Sequence, residues 1–269
     1  MRRAILYGLL IAGAAISLMP MLWMVSASLM PPGEANSFPP RLLPSTVTLE
    51  HYHALFTRLN LGRYLVNSTI IAVTVTAISL VINSMAGYAF AKLRFRHRDR
   101  VFRLLATGLV IPVQVSMLPL FLLLRELGLI NTYWGVIIPG MASIFGIFLI
   151  RQYALAIPDD LIDAARIDGA GEFRIYRSVV VPVIRPILAT LAIWTFLATW
   201  NDFMWPLIVL SDESRYTLPV ALANLVGEHV QDTELMMAGS VLTTLPVLLV
   251  FLFLQRYYIQ GVMAGSVKG

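Results

Sequence analysis

A membrane-spanning helix needs about 20 predominantly apolar residues, and this chain offers six such stretches. They run from about Ala4 to Leu29, Tyr64 to Ala91, Val101 to Leu124, Tyr133 to Ile150, Val183 to Leu210 and Leu235 to Leu254. Of 269 residues, 58% are hydrophobic and 13% charged, and the mean hydropathy is +0.77. Six spans leave room for loops and tails but none for a separate soluble domain. The expected architecture is therefore all-α and integral to the membrane. Residues 1–63 would form the first span and an external loop, 64–256 a five-helix core with a polar loop over 151–182, and 257–269 a tail.

Charge fixes the expected orientation. With the amino terminus inside, 15 of the 20 basic residues fall on inside segments, so the positive-inside rule puts both termini in the cytoplasm. The net charge of +5 does not suggest nucleic acid, because the basic residues cluster beside apolar runs, as in Lys92-Leu93-Arg94-Phe95-Arg96-His97-Arg98-Asp99-Arg100. There is no cysteine, which removes disulfides, thiolate metal sites and a cysteine nucleophile. His51 and His53, with His229 distant in sequence, read as surface histidines rather than metal ligands. The first span competes with a signal peptide cleaved near Ser26-Ala27-Ser28, but its apolar run is too long for a typical h-region.

Leu49, Tyr52, Leu55 and Phe56 predict one short amphipathic helix in the external loop. Pro112, Pro119, Pro139, Gly140 and Pro246 lie within spans, where neighbours or a wet cavity satisfy the freed carbonyls. Kinks of this kind suit a chain that opens and closes, although proline and glycine are also simply commoner in membrane helices. The acidic loop with Asp212, Glu213, Glu228, Asp232 and Glu234 reads as a solvated outside loop, with contact to a binding protein as the alternative.

The polar loop carries the most specific signal. Pro158-Asp159-Asp160 opens a short predicted helix and Gly169 closes it. Leu161, Ala164, Ala165 and Asp168 fall on one face, shallow enough for a partner groove, with Leu161 and Ile167 supplying apolar grip. A second helical stretch is predicted over Glu172 to Val180, stopping at Pro182. Four basic and five acidic residues between Arg151 and Val181 do not make a lipid-binding patch, so the loop reads as a protein contact, with a solvated helix on the membrane surface as the alternative.

Asp163-Ala164-Ala165, three residues, Gly169, nine residues, then Val179-Val180-Val181-Pro182 resembles the EAA loop of permease subunits of bacterial ABC importers. Asp163 stands where that family has glutamate. Asn67-Ser68, Ala86-Gly87-Tyr88-Ala89-Phe90-Ala91, Gly128 to Trp134, Trp200-Asn201-Asp202-Phe203 and the tail from Ala264 to Gly269 extend the resemblance to carbohydrate importers, similar to the maltose transporter's smaller membrane subunit. The resemblance implies a type I importer permease fold in the bacterial inner membrane, working by alternating access. It implies as partners two ATP-binding subunits, a second homologous permease and an extracytoplasmic solute-binding protein. It also implies a coupling helix carrying Asp163, Ala164, Ala165, Asp168 and Gly169.

No cofactor is expected on this chain; ATP and Mg²⁺ belong to the partner ATPase. A phosphate-binding loop needs Gly-Lys before Ser or Thr, and the only lysines, Lys92 and Lys268, follow Ala91 and Val267. Polar groups at membrane depth mark candidates for the translocation pathway: Asn83 with Ser84, Gln114 with Ser116, and Trp200, Asn201 and Asp202. Each also has a structural reading, the amides as helix bridges and Trp200 and Trp205 as an interface belt. The alternatives are an ion-coupled secondary transporter, which would need more intramembrane acids than Asp202, an ABC permease for a solute other than sugar, and a membrane enzyme, for which no catalytic constellation is evident.

Overall fold

The computed structural model describes residues 2–39, 41–228 and 232–264. His229 and the tail beyond Ala264, with Lys268, lie outside them. Among the described residues all regular structure is helical. The chain divides into two compact units, one made of Met1–Val66 and Thr217–Leu248, the other of Asn67–Tyr216 and Leu249–Gly269.

The first unit opens with α1 (Arg2–Ala27), followed after a long irregular segment by α2 (Glu50–Thr57). The predicted amphipathic helix is present, yet the side chains it buries are His51 and Leu55, while Phe56 is exposed. His51 is thus not a surface histidine: its Nε2 lies 2.9 Å from the Met30 carbonyl. Glu234 departs from the solvated-loop expectation in the same way. It is 1% exposed and accepts the Ala35 N–H at 2.7 Å, since a buried backbone donor must find a partner.

The second span is α3 (Leu61–Lys92), which runs through both units. The third is broken at Pro112, as the sequence suggests, and continues through Pro119. α4 (Arg98–Thr107) and α5 (Val113–Glu126) meet at a bend of 105° rather than crossing as one rod. Ile111 is extended (ψ 119°) and so is Pro112 (ψ 132°), because a proline ring disfavours helical geometry in the residue before it. Pro119 lies inside α5 without ending it.

The fourth span breaks as well, into α6 (Tyr133–Gly140) and α7 (Ile144–Leu155). Thr132 and Ser143 cap the two halves, accepting from Gly135 N–H and Gly146 N–H. α8 (Asp159–Ile167) and α9 (Glu172–Ile175) occupy the polar loop.

Pro182 does not stop the second stretch. A π-helical turn over Tyr176–Val180 carries α9 directly into α10 (Val181–Trp200). The wide turn lies just where the proline lacks an N–H for the preceding carbonyls. The fifth apolar element therefore spans Glu172–Trp200, beginning earlier than Val183. It ends before Asn201, and α11 (Met204–Val209) is a separate short helix. α12 (Leu218–Glu228) and α13 (Thr233–Ala264) complete the chain. Among the described residues five helices are long and apolar enough to cross a membrane, or six if the bent pair counts as one span.

Candidate functional site

α8 is built as the sequence suggests. Asp159 and Asp160 sit in its first turn and Arg166 in its last, each complementing the helix dipole. Its end is a Schellman motif: Ala170 N–H donates to Ala165 O and Gly169 N–H to Arg166 O, both at 3.0 Å. Gly169 takes φ +78°, a left-handed conformation that a side chain disfavours.

The two alanines part company. Ala164 is exposed while Ala165 is partly buried and packs against a core of Tyr88, Ile150, Ile162, Ile175 and Ile184. The outward face of α8 is therefore Leu161, Ala164, Ile167 and Asp168, with Ile167 86% exposed, and Ala165 belongs to the inward face with Ile162.

Two polar tethers fasten α8 to the end of α3. Lys92 Nζ donates to Ile157 O and Asp159 Oδ1, both at 2.6 Å. The hydrogen bond from Lys92, together with its charge, holds the Asp159 carboxyl below the usual carboxylate range. The carboxylate is thus ionised throughout the neutral range, and its contribution is lost only as pH falls through that lowered value. The second tether is a chain: Asp163 Oδ1 accepts from Arg166 at 2.9 Å, Arg166 donates to Glu172 Oε1 at 2.8 Å, and Tyr88 Oη donates to Glu172 Oε2 at 2.7 Å. Asp163 thereby serves α8 itself. Ser84 and Tyr176 hydroxyls, 2.6 Å apart, pin the start of the π turn to α3.

The links of that chain are unequal. Tyr88 is 3% exposed, so Tyr88→Phe leaves a charged acceptor without its donor and costs about 1.5–3 kcal/mol. Arg166→Gln breaks surface ion pairs worth about 1 kcal/mol or less. Thermal denaturation of the two variants in detergent should show the larger fall in midpoint for Tyr88→Phe; the reverse order would place the chain's strength at its exposed end.

A second feature is a cavity of about 390 Å³ at the broken helices, lined by Gln114, Ser116, Pro139, Gly140, Thr199, Asp202 and Trp205 among others. Gln114 and Asp202 are brought together here. Asp202 also accepts the Trp205 N–H at 3.3 Å, near the start of α11. The remaining candidates sit elsewhere. Asn83 is fully buried: its Oδ1 takes the Ser143 N–H at 3.0 Å and its Nδ2 donates to Ser79 at 2.6 Å, so it satisfies backbone freed at the break between α6 and α7. Trp200 is 1% exposed and stacks on Phe196 at 5.6 Å. Asn201 turns back onto the Leu197 carbonyl at 2.9 Å. Trp205, buried, donates to Gly135 O at 3.1 Å and forms the wall of the cavity rather than an interface belt.

Thr199 is the lining residue that sequence reasoning misses, and the Pro139-Gly140 pair within a span is the signal that marks the cavity. Asn67 was noted only as opening a span. It clasps the loop after α11, donating to Ser214 O at 3.1 Å and Tyr216 O at 2.9 Å and accepting from Tyr133 at 2.7 Å.

Comparison with known proteins gives consistent results. The chain is 40% identical over 259 residues to the arabinooligosaccharides transport system permease protein AraQ of Halalkalibacterium halodurans, covering 95% of this chain and 93% of that one. It is 34% identical to the lactose transport system permease protein LacG of Rhizobium radiobacter, over 97% and 95%. Its fold superposes with a TM-score of 0.84, at 25% identity and 95% coverage of both chains, on a chain from a bacterial ABC transporter involved in import of the acidic polysaccharide alginate. Residues 79–263 match the family of binding-protein-dependent transport system inner membrane components. With its long apolar helices and its tethered polar loop, the chain belongs to that family, as a multi-pass permease subunit of the inner membrane.

Proposed function

We propose that this chain is one half of the translocation pore of an ATP-driven importer for an oligosaccharide. A solute-binding protein delivers the substrate, a second homologous permease completes the pore, and two ATP-binding subunits supply the energy. The observation that carries this reading is the construction of α8: an outward face of Leu161, Ala164 and Ile167 is left uncovered by the described residues, while its inward side is locked to α3. Such a helix transmits a push. When the ATPases close, α8 moves, and its two tethers oblige α3 to move with it, turning the cavity from one side of the membrane to the other. Both termini and α8 then face the cytoplasm, in line with the distribution of basic residues.

Substrate class rests on the relatives, whose names specify arabinooligosaccharides and lactose. The cavity suits a hydroxyl-rich ligand. Gln114, Ser116, Thr199 and Asp202 offer donors and acceptors beside apolar walls, the composition of a site that binds by oriented hydrogen bonds. No ATP chemistry is assigned to this chain, and no cofactor.

Mild-detergent purification of the tagged chain from its host tests the assembly. Recovery of an ATPase pair and a second permease is expected, with hydrolysis in liposomes stimulated by a binding protein loaded with an arabinose- or galactose-containing oligosaccharide. A chain that purifies alone and transports under an ion gradient without ATP would instead establish the secondary-transporter reading.

A further inference from the structure

The segment joining α3 to α4 holds a concentration of charge that neither tether uses. Arg94, Arg96, His97, Arg98, Asp99, Arg100 and Arg103, with Phe95, line an open concavity of about 720 Å³. Asp99 is the one acid among these lining residues, and its carboxylate is already engaged, 3.2 Å from Arg98 and 3.8 Å from Arg151. Arg94, Arg96, Arg100 and Arg103 remain exposed.

The platform beneath is ordered. Phe90 packs on Phe95 and Phe102 with centroids 5.7 and 5.5 Å apart, Phe102 stacks on Phe148 at 6.3 Å, and the Arg151 guanidinium lies 4.1 Å over the Phe102 ring. Arg98 ties the turn to the Leu93 carbonyl, and His97 adopts φ +64° to enter α4. The arginines are thus mounted on an aromatic base rather than on a slack loop.

Apolar side chains stand exposed on the same segment: Phe95 at 44%, Val101 at 45% and Leu104 at 75%. A surface meant for a soluble polyanion would not interleave them. Guanidinium groups beside exposed apolar side chains, immediately after a spanning helix, match the headgroup and acyl boundary of a bilayer. Four exposed guanidiniums exceed what one phosphodiester neutralises, and basic pockets beside spanning helices accept headgroups carrying two.

We infer that the Arg94–Arg103 concavity is a binding site for an acidic phospholipid with a two-phosphate headgroup, of the cardiolipin class, on the same side of the membrane as α8. The guanidinium forks of Arg96 and Arg100 take the phosphates, and Phe95, Val101 and Leu104 lie along the acyl chains.

The test uses the full chain with its co-purifying partners in detergent, titrated with cardiolipin and read as the midpoint of thermal unfolding. Saturating cardiolipin should raise the wild-type midpoint by about 5 °C, whereas phosphatidylcholine and inorganic phosphate should not. Arg96→Gln/Arg100→Gln should lose most of the rise. Arg58→Gln/Arg63→Gln, removing the same charge near the opposite end of α3, should keep it. Equal loss in both double variants would mean unspecific attraction and overturn the site, as would a full rise in the first or an equal rise with inorganic phosphate. Should the first variant also lower the lipid-free midpoint, native mass spectrometry decides: fewer retained cardiolipins per chain than in wild type supports the site, and an equal number overturns it.

Discussion

Ala164→Asp should abolish uptake while leaving the amount of folded chain in the membrane unchanged, whereas Ala165→Asp should lower the folded chain itself. The two positions are adjacent in sequence and chemically alike, but only Ala165 packs against the Tyr88–Ile184 core. A carboxylate at 164 is solvated in the isolated chain and would become buried where the proposed ATPase partner closes over α8. An unpaired buried charge costs several kcal/mol, and each factor of ten corresponds to about 1.4 kcal/mol, so transport should fall by about a hundredfold or more. Uptake of labelled sugar, set against membrane levels of each variant, reads both quantities. Normal transport by Ala164→Asp would mean that this face of α8 touches nothing during the cycle.

Gly135→Ala should be the most disruptive methyl addition in the second unit. A Cβ there would lie 2.4 Å from the Leu129 carbonyl oxygen and 2.9 Å from Val209 Cγ1. Backbone closes one side, and the other is the helix whose Trp205 donates to the Gly135 carbonyl. Overpacking costs about 1–3 kcal/mol when side chains can yield; here the nearest atom is backbone, so the loss should reach or exceed the upper figure. Gly140→Ala makes an informative partner. Its Cβ would meet only Val75 side-chain carbons, at 2.9 Å and beyond, so the fold should survive with a smaller cavity and weaker apparent substrate affinity. Size-exclusion profiles after a heating series measure the first effect, and uptake against substrate concentration the second. A Gly135→Ala chain as heat-resistant as wild type would show that α6 can shift away from Leu129.

These expectations depend on which facts are local. α8 was legible because its signals are local: acids in the first turn, a basic residue in the last and a glycine at the stop all fall within a dozen residues. Its inward and outward faces were not, because the core that separates Ala165 from Ala164 is assembled from α3, α7 and α10, and a sequence pattern gives a helix a period without saying which neighbour it meets. The continuity through Pro182 was hidden for a similar reason. A proline ordinarily ends a helix, and the π turn that admits it is pinned by Ser84, which is 92 residues from Tyr176. Glu234 finds its donor 199 residues away, so an acidic loop residue could not be told from a buried one. Polar residues inside spans stand out in the sequence as costly, but cost has two remedies: Asn83 repairs a break in the backbone, while Gln114 and Asp202 border open space.

The 32 residues of α3, at about 1.5 Å each, give a rod of about 48 Å, longer than the roughly 30 Å hydrocarbon core it crosses. Asn67 near one end grips the loop at Ser214 and Tyr216, and Tyr88 and Lys92 near the other grip α8, with no proline between them. A rod clasped at both ends carries information in either direction. If contact at the Ser214–Tyr216 loop favours one posture of α3 by some factor, thermodynamic reciprocity requires that a contact at α8 selecting that posture strengthens binding at the loop by the same factor. Occupancy at one end and affinity at the other thus become two readings of one equilibrium, measurable from whichever side of the bilayer is easier to reach.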